Sequence, residues 1–208
     1  MKMKFYQSIK FRLMMMTLCV CVFMGGLISF YSIHQSRLSY KRLAWNYMVD
    51  IALAYGRQVE NLLDQGGSLD SGVLEHILMN ANLEGVESSY TYIVDSEGNM
   101  LYHPNKDKIG KSVENVIVKS YIQDLKSGIK HDTYVVEYDY NGSIKYAACY
   151  TDENGRFILV VSADDDAVLR DSASLIVRVT AISLLIGMAA IVVVFIFIRK
   201  IVAPLSYA

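Results

Sequence analysis

The sequence predicts an α+β fold: a five-stranded antiparallel sheet with a long N-terminal helix, flanked by two transmembrane helices. Three observations lead there. The 208 residues are 53% apolar with a mean hydropathy of +0.27, too high for a soluble domain unless the excess is concentrated in a few segments. It is concentrated in two charge-free runs, residues 13–33 and 179–198. Between them the hydrophobic period changes from that of a helix to that of a strand near residue 90.

Each apolar run has about 20 residues, enough at about 1.5 Å rise per residue to cross a ~30 Å hydrocarbon core. The boundaries assigned are a tail over 1–12, a first span over 13–33, a folded region over 34–175 and a second span over 176–198. Lys2, Lys4, Lys10 and Arg12 precede the first span, and Arg199 and Lys200 follow the second. Short basic flanks stay inside, so both termini are expected in the cytoplasm of a cell-membrane protein, with the folded region outside. The basic leader is also that of a signal peptide, but a signal core is only ~7–15 residues, shorter than this run. Arg178 sits where its guanidinium reaches the headgroups and sets the helix depth.

Charge divides the same way. All 21 acidic residues but only 13 of the 20 basic ones fall between His34 and Leu175, leaving that region net −8. An acidic exterior gives nucleic acid no footprint, whereas the basic flanks suit a lipid bilayer. Cys19 and Cys21 lie in the first span, so Cys149 has no cysteine to pair with outside.

The region between the spans is the size of one domain. Leu38, Trp45, Ala52 and Val59 recur every seven residues, with Met48, Tyr55 and Leu62 three further on, so the first membrane helix is expected to continue outward as one rod. Such a stripe packs on its own domain, on a partner rod of a homodimer, or on both. Gln65, Gly66 and Gly67 end it, and Val73, Leu74, Ile77 and Leu78 mark a short amphipathic helix. Strands are predicted at 90–95, 100–103, 133–140, 144–150 and 157–163, with a helix over 115–126 ended by Gly128. For the third and fourth strands, placing Tyr134, Val136 and Tyr138 on one face with Ile144, Tyr146 and Ala148 requires Tyr138 to pair with Ile144. That register needs a three-residue loop with Gly142 in a left-handed bulge position. Asp164, Asp165 and Asp166 then start a helix that runs into the second span, their charge matched to its N-terminus. These carboxylates could also attract an amine or calcium, but no second ligand cluster accompanies them.

Residues 90–113 read YTYIVDSEGNMLYHPNKDKIGKSV: a hydrophobic strand, an Asp-x-x-Gly turn, a second strand ending in His-Pro, and an Ile-Gly-Lys loop. In that order these pieces resemble the Cache family of extracytoplasmic sensors, and the likeness extends over residues 36–171. With one sheet's worth of strands, the region resembles a single PAS-like Cache domain rather than a tandem one. The Arg-Trp-Tyr signature of the amino-acid-binding tandem class is absent. Residues 199–205, RKIVAPL, are similar to the opening of a HAMP linker, with Pro204 and Leu205 at its Pro-Leu step. The resemblance implies the sensing half of a methyl-accepting chemotaxis protein, a histidine kinase or a diguanylate cyclase, its signalling output absent from these residues.

Phosphate loops, nucleophile elbows, Cys-x-x-Cys pairs and zinc helices are all missing from the sequence, so neither an enzyme nor a cofactor is expected. The expected partner is a small organic acid, amino acid or amine, held between the sheet and the excursion over 104–127. The candidate ligand-binding residues are Tyr92, His103, Lys111, Tyr121, Tyr134 and Tyr146. His103 ends a strand where an imidazole can meet a carboxylate, or merely fixes the turn. The tyrosines offer apolar walls with polar tips, or simply fill the core. Lys111 provides a countercharge or points to solvent. Two rival readings remain: an interaction module whose filled core senses no metabolite, and a truncated receptor without a ligand of its own.

Overall fold

The computed structural model describes residues 9–197, so the HAMP-like stretch at 199–205 lies outside the described residues. Two compact units emerge, one formed by residues 39–170 and the other by the chain on either side of it. In the second unit, two helical stretches are long and apolar enough to cross a membrane, one within Met15–Asp64 and one at Ile176–Val193. Among the described residues, large apolar side chains on these stretches are exposed: Phe30 is 74% exposed and Leu184 64%.

The 39–170 unit is α+β. Helix α1 (Ile9–Asp64) enters it without interruption and ends where Gly66 turns left-handed at φ 82°, with the Gly67 N–H returned to the Leu62 carbonyl. After it come α2 (Ser71–Leu78), β1 (Tyr90–Asp95), β2 (Met100–Tyr102), a 3-10 turn (Lys106–Lys108) and α3 (Val116–Lys126). Strands β3 (Val135–Tyr140), β4 (Ser143–Thr151) and β5 (Phe157–Asp164) then lead directly into α4 (Asp165–Phe197). All neighbours in the sheet are antiparallel, in the order β2-β1-β5-β4-β3.

The sheet is covered on both faces. On one lie Met48, Ile51, Ala52 and Val59 of α1 with Leu74 and Leu78 of α2, packed on Tyr146, Tyr150, Phe157, Leu159 and Val161. From Trp45 to Val59 the heptad stripe therefore packs on its own domain. Gly56 belongs to this contact because a Cβ there would fall 2.2 Å from the Tyr150 ring. On the other face Val118, Tyr121 and Ile122 of α3 cover Tyr92, Val94, Ala147, Cys149, Ile158 and Val160. β5, in the middle of the order, is buried from Phe157 to Ala163.

Two-sided burial corrects the expected register. The β3–β4 hairpin pairs Tyr138 with Lys145 and Asp139 with Ile144, so the loop is the two residues Asn141 and Gly142. Both have positive φ, 56° and 81°, the signature of a type I′ turn whose twist matches the strands. The Gly142 N–H also donates to the Asp139 carboxylate at 3.0 Å. The reasoning from one apolar face fails because each face has its own apolar cover. Tyr138 consequently faces α3, whereas Tyr146 faces α1.

A clamp at the far end of the sheet joins α1 to the β4–β5 hairpin. The buried Glu60 carboxylate accepts from the Tyr150 hydroxyl and, at 2.9 Å, from the Glu153 N–H. Arg156 bridges Asp64 at 2.8 Å and the fully buried Asp152 at 2.7 Å.

Candidate functional site

A cavity of about 70 Å³ lies on the α3 side of the sheet. At about 10–15 Å³ per water position it holds on the order of five water-sized groups. Tyr90 and Tyr92 of β1, Met100 and His103 of the second strand and its end, Tyr138 and Tyr140 of β3, and Lys145 of β4 line it from the sheet. The excursion contributes Lys108 and residues 111–115.

Local chain geometry brings these side chains together. On β1 and β2, Ile93 pairs with Tyr102 and Val94 with Met100, so Leu101 is an extra, bulged residue. The bulge lets Met100 and His103, three apart, both reach the cavity. Beyond the 3-10 turn, Gly110 turns left-handed at φ 78° and the chain doubles back along β2. The Gly110 N–H donates to the Met100 carbonyl (2.8 Å), the Met100 N–H to Lys111 (2.9 Å), and the Val113 N–H to Gly98 (2.8 Å). This return places Lys111, Ser112 and Glu114 at the cavity. Asn115 then caps α3, accepting from the Ile117 N–H at 2.9 Å, while its amide donates to the Tyr92 hydroxyl at 3.3 Å.

Donors dominate the wall. The His103 ring stacks 5.2 Å from Tyr90 and 5.7 Å from Tyr92, and its Nδ1 accepts from the Asn105 N–H at 2.9 Å. The neutral ring therefore carries its proton on Nε2, and among the described residues no group accepts from it. Burial, aided by the Lys108 charge, lowers the His103 pKa and keeps it neutral. Burial also raises the Tyr92 hydroxyl well above its ordinary value and pushes Tyr138 up to about 12, so both remain phenols. Of the three lysines, Lys108 lies 3.9 Å from Glu114 and Lys145 2.7 Å from Asp164, whereas Lys111 has no ion-pair partner among the described residues. Burial opposes the Lys145 charge, but the Asp164 carboxylate outweighs it and its pKa is raised. Glu114, which also accepts from Tyr140 at 3.0 Å, is the one carboxylate in the wall. The cavity is thus electropositive.

Of the residues singled out from sequence, the structure brings Tyr92, His103 and Lys111 to this cavity and leaves three outside it. Tyr121 and Tyr134 stack on each other at 6.3 Å, with His131 4.7 Å from Tyr121, beyond the cavity. Tyr146 is on the opposite face of the sheet, 5.5 Å from Trp45 and donating to Asp165. Tyr90, Tyr138, Tyr140, Lys145, Lys108 and Asn115 were not anticipated. The Asn-Gly turn was the available signal for Lys145, since its two-residue register pairs Lys145 with Tyr138 and so puts it on the face of Tyr138 and Tyr140. Asp165 and Asp166 lie in the first turn of α4, and among the described residues no cluster of His, Cys, Asp or Glu is arranged to hold a metal ion.

No family model matches the chain, and no curated protein matches it. Among solved structures it is similar to the ligand-binding domain of Mlp24 with asparagine, at 12% identity and a TM-score of 0.36 over 49% of this chain and 38% of that one. It is also similar to the ligand-binding domain of the Pseudomonas aeruginosa PAO1 amino acid chemoreceptor PctC in complex with GABA, at 18% identity and 0.31 over 45% and 38%. A third likeness is to the E. coli DcuS sensor domain, at 16% identity and 0.36 over 61% and 90%. The chain spans less than two fifths of the length of the first two.

Proposed function

We propose that this chain is the sensing part of a membrane receptor, its 39–170 unit exposed outside the cell and its α3-side cavity binding a small organic anion. The observation that carries the reading is the cavity's wall: three lysines, a neutral histidine with a free N–H and several phenols, against one carboxylate already engaged by Tyr140. Lys111 and the His103 Nε2–H, left without acceptors among the described residues in a half-closed site, favour a ligand made of acceptors. This ranks organic acids ahead of amino acids, and both ahead of amines. The volume favours a molecule of a few heavy atoms over a nucleotide or peptide.

The two apolar helices support membrane anchorage, and their basic flanks support a cytoplasmic position for both ends. The Cache-like order of residues 90–113 supports a chemoreceptor or sensor-kinase context, with a HAMP-like linker at 199–205 and a homodimeric receptor. An open polar cavity counts against a filled interaction module.

A thermal-shift screen of the full chain in detergent tests the reading, since a ligand that prefers the folded state raises Tm. Short mono- and dicarboxylates are expected to raise it saturably, and Lys111→Met to abolish the effect. Stabilisation by amines alone would overturn the anion assignment.

A further inference from the structure

We infer that the Lys145–Asp164 ion pair is the contact through which the cavity reports its occupancy: an anion bound beside Lys145 draws the ammonium from Asp164 and loosens the β5–α4 junction. The inference rests on the organic-anion reading above and deepens it by naming the responding contact.

Lys145 is both a cavity wall residue and the cross-strand partner of Asp164, the last residue of β5, at 2.7 Å. α4 starts at the next residue and continues as one helix to Phe197. Tyr146 follows Lys145 on β4, points to the other face and donates to Asp165. Two consecutive residues of β4 therefore hold two consecutive carboxylates, one from each side of the sheet. Tyr146 is itself fully buried beside Trp45, on the face of the sheet away from the cavity. The Lys145 grip faces the cavity. Neither other cavity lysine connects to α4: the partner of Lys108 is Glu114 on the excursion, and Lys111 has none among the described residues. Other ties of the junction, the Asp164 N–H to Ser88 and Arg170 to Glu87, lie apart from the cavity wall.

Because ligand and Asp164 compete for one ammonium, the coupling is reciprocal: removing Asp164 must tighten anion binding. The test is hydrogen exchange on the full chain in lipid nanodiscs with formate, acetate, pyruvate or succinate, chloride serving as the control. In the wild type the effective probe is expected to protect residues 108–115 and accelerate exchange at 165–170. Asp164→Asn should exchange fast at 165–170 without any probe and bind the same probe roughly five- to tenfold more tightly. Lys145→Met should show the fast junction and lose its response. Protection of 108–115 with an unchanged junction, and equal affinity in Asp164→Asn, would overturn the inference while leaving the anion site standing. Absence of protection by every probe in both wild type and Asp164→Asn would overturn the organic-anion reading itself, and this inference with it.

Discussion

His103 is a donor in one direction only: the Asn105 amide occupies Nδ1 and burial keeps the ring neutral. This gives the domain an acid limit. The unfolded chain protonates this histidine near its ordinary pKa of about 6.5 while the folded chain resists, so unfolding takes up a proton as pH falls. The His103 contribution to stability is complete above about pH 6.5 and is lost as pH falls through the lowered folded pKa. In thermal melts between pH 7.5 and 5, His103→Gln should show a shallower decline than the wild type. Gly56 marks a second residue-scale constraint, since any side chain there collides with Tyr150. Gly56→Ala is expected to destabilise by about 1–3 kcal/mol, the range for overpacking a filled core, measured by denaturant or thermal unfolding. Tyr92 and His103 were legible in sequence because one stands within a recognisable strand and the other at the end of the next. Asn115 was not: capping residues recur at every helix start, and its contact with Tyr92 exists only after the excursion folds back.

At the scale of elements, the hairpin shows how a sound rule reached the wrong register. Alternation assigns one buried face per strand, but this sheet is covered on two, and β4 is buried on both alternations from Tyr146 to Tyr150. With both faces apolar, hydrophobic pattern cannot decide register, and the turn does. Asn141 and Gly142 both adopt positive φ, so Gly142→Val should cost about 1–2 kcal/mol, whereas the same change in an ordinary loop costs little. The error propagated: it moved Tyr146 onto the expected pocket face and kept Lys145 off it. The clamp between α1 and the β4–β5 hairpin was equally hidden, because Glu60 and Asp64 are distant in sequence from Asp152 and Arg156. Arg156→Ala leaves the fully buried Asp152 carboxylate without its guanidinium. It should lower Tm more than Asp64→Asn, which removes only the more exposed end of the bridge.

For the whole molecule, the long apolar runs and the change of period between them made the architecture readable, since both signals extend over many residues and need no partner to interpret. The cavity is a property of four strands and an excursion meeting, so its membership depended on registers and a bulge that hydrophobic pattern does not fix. The proposed topology makes a direct prediction. Cys149 is buried and its thiol is pushed up to about 12, which leaves it unreactive. A cysteine introduced at the exposed Asn141 should react with a membrane-impermeant maleimide on intact cells, and one introduced at Arg12 only after lysis. The central claim, that the cavity is a small-anion site, is tested most directly by calorimetric titration of the full chain with short carboxylates, wild type against Lys111→Met. One saturable site, at least tenfold weaker in the variant (a loss of about 1.4 kcal/mol), is the expected result. Equal affinity in the two proteins, or no saturable heat with any carboxylate, would contradict it.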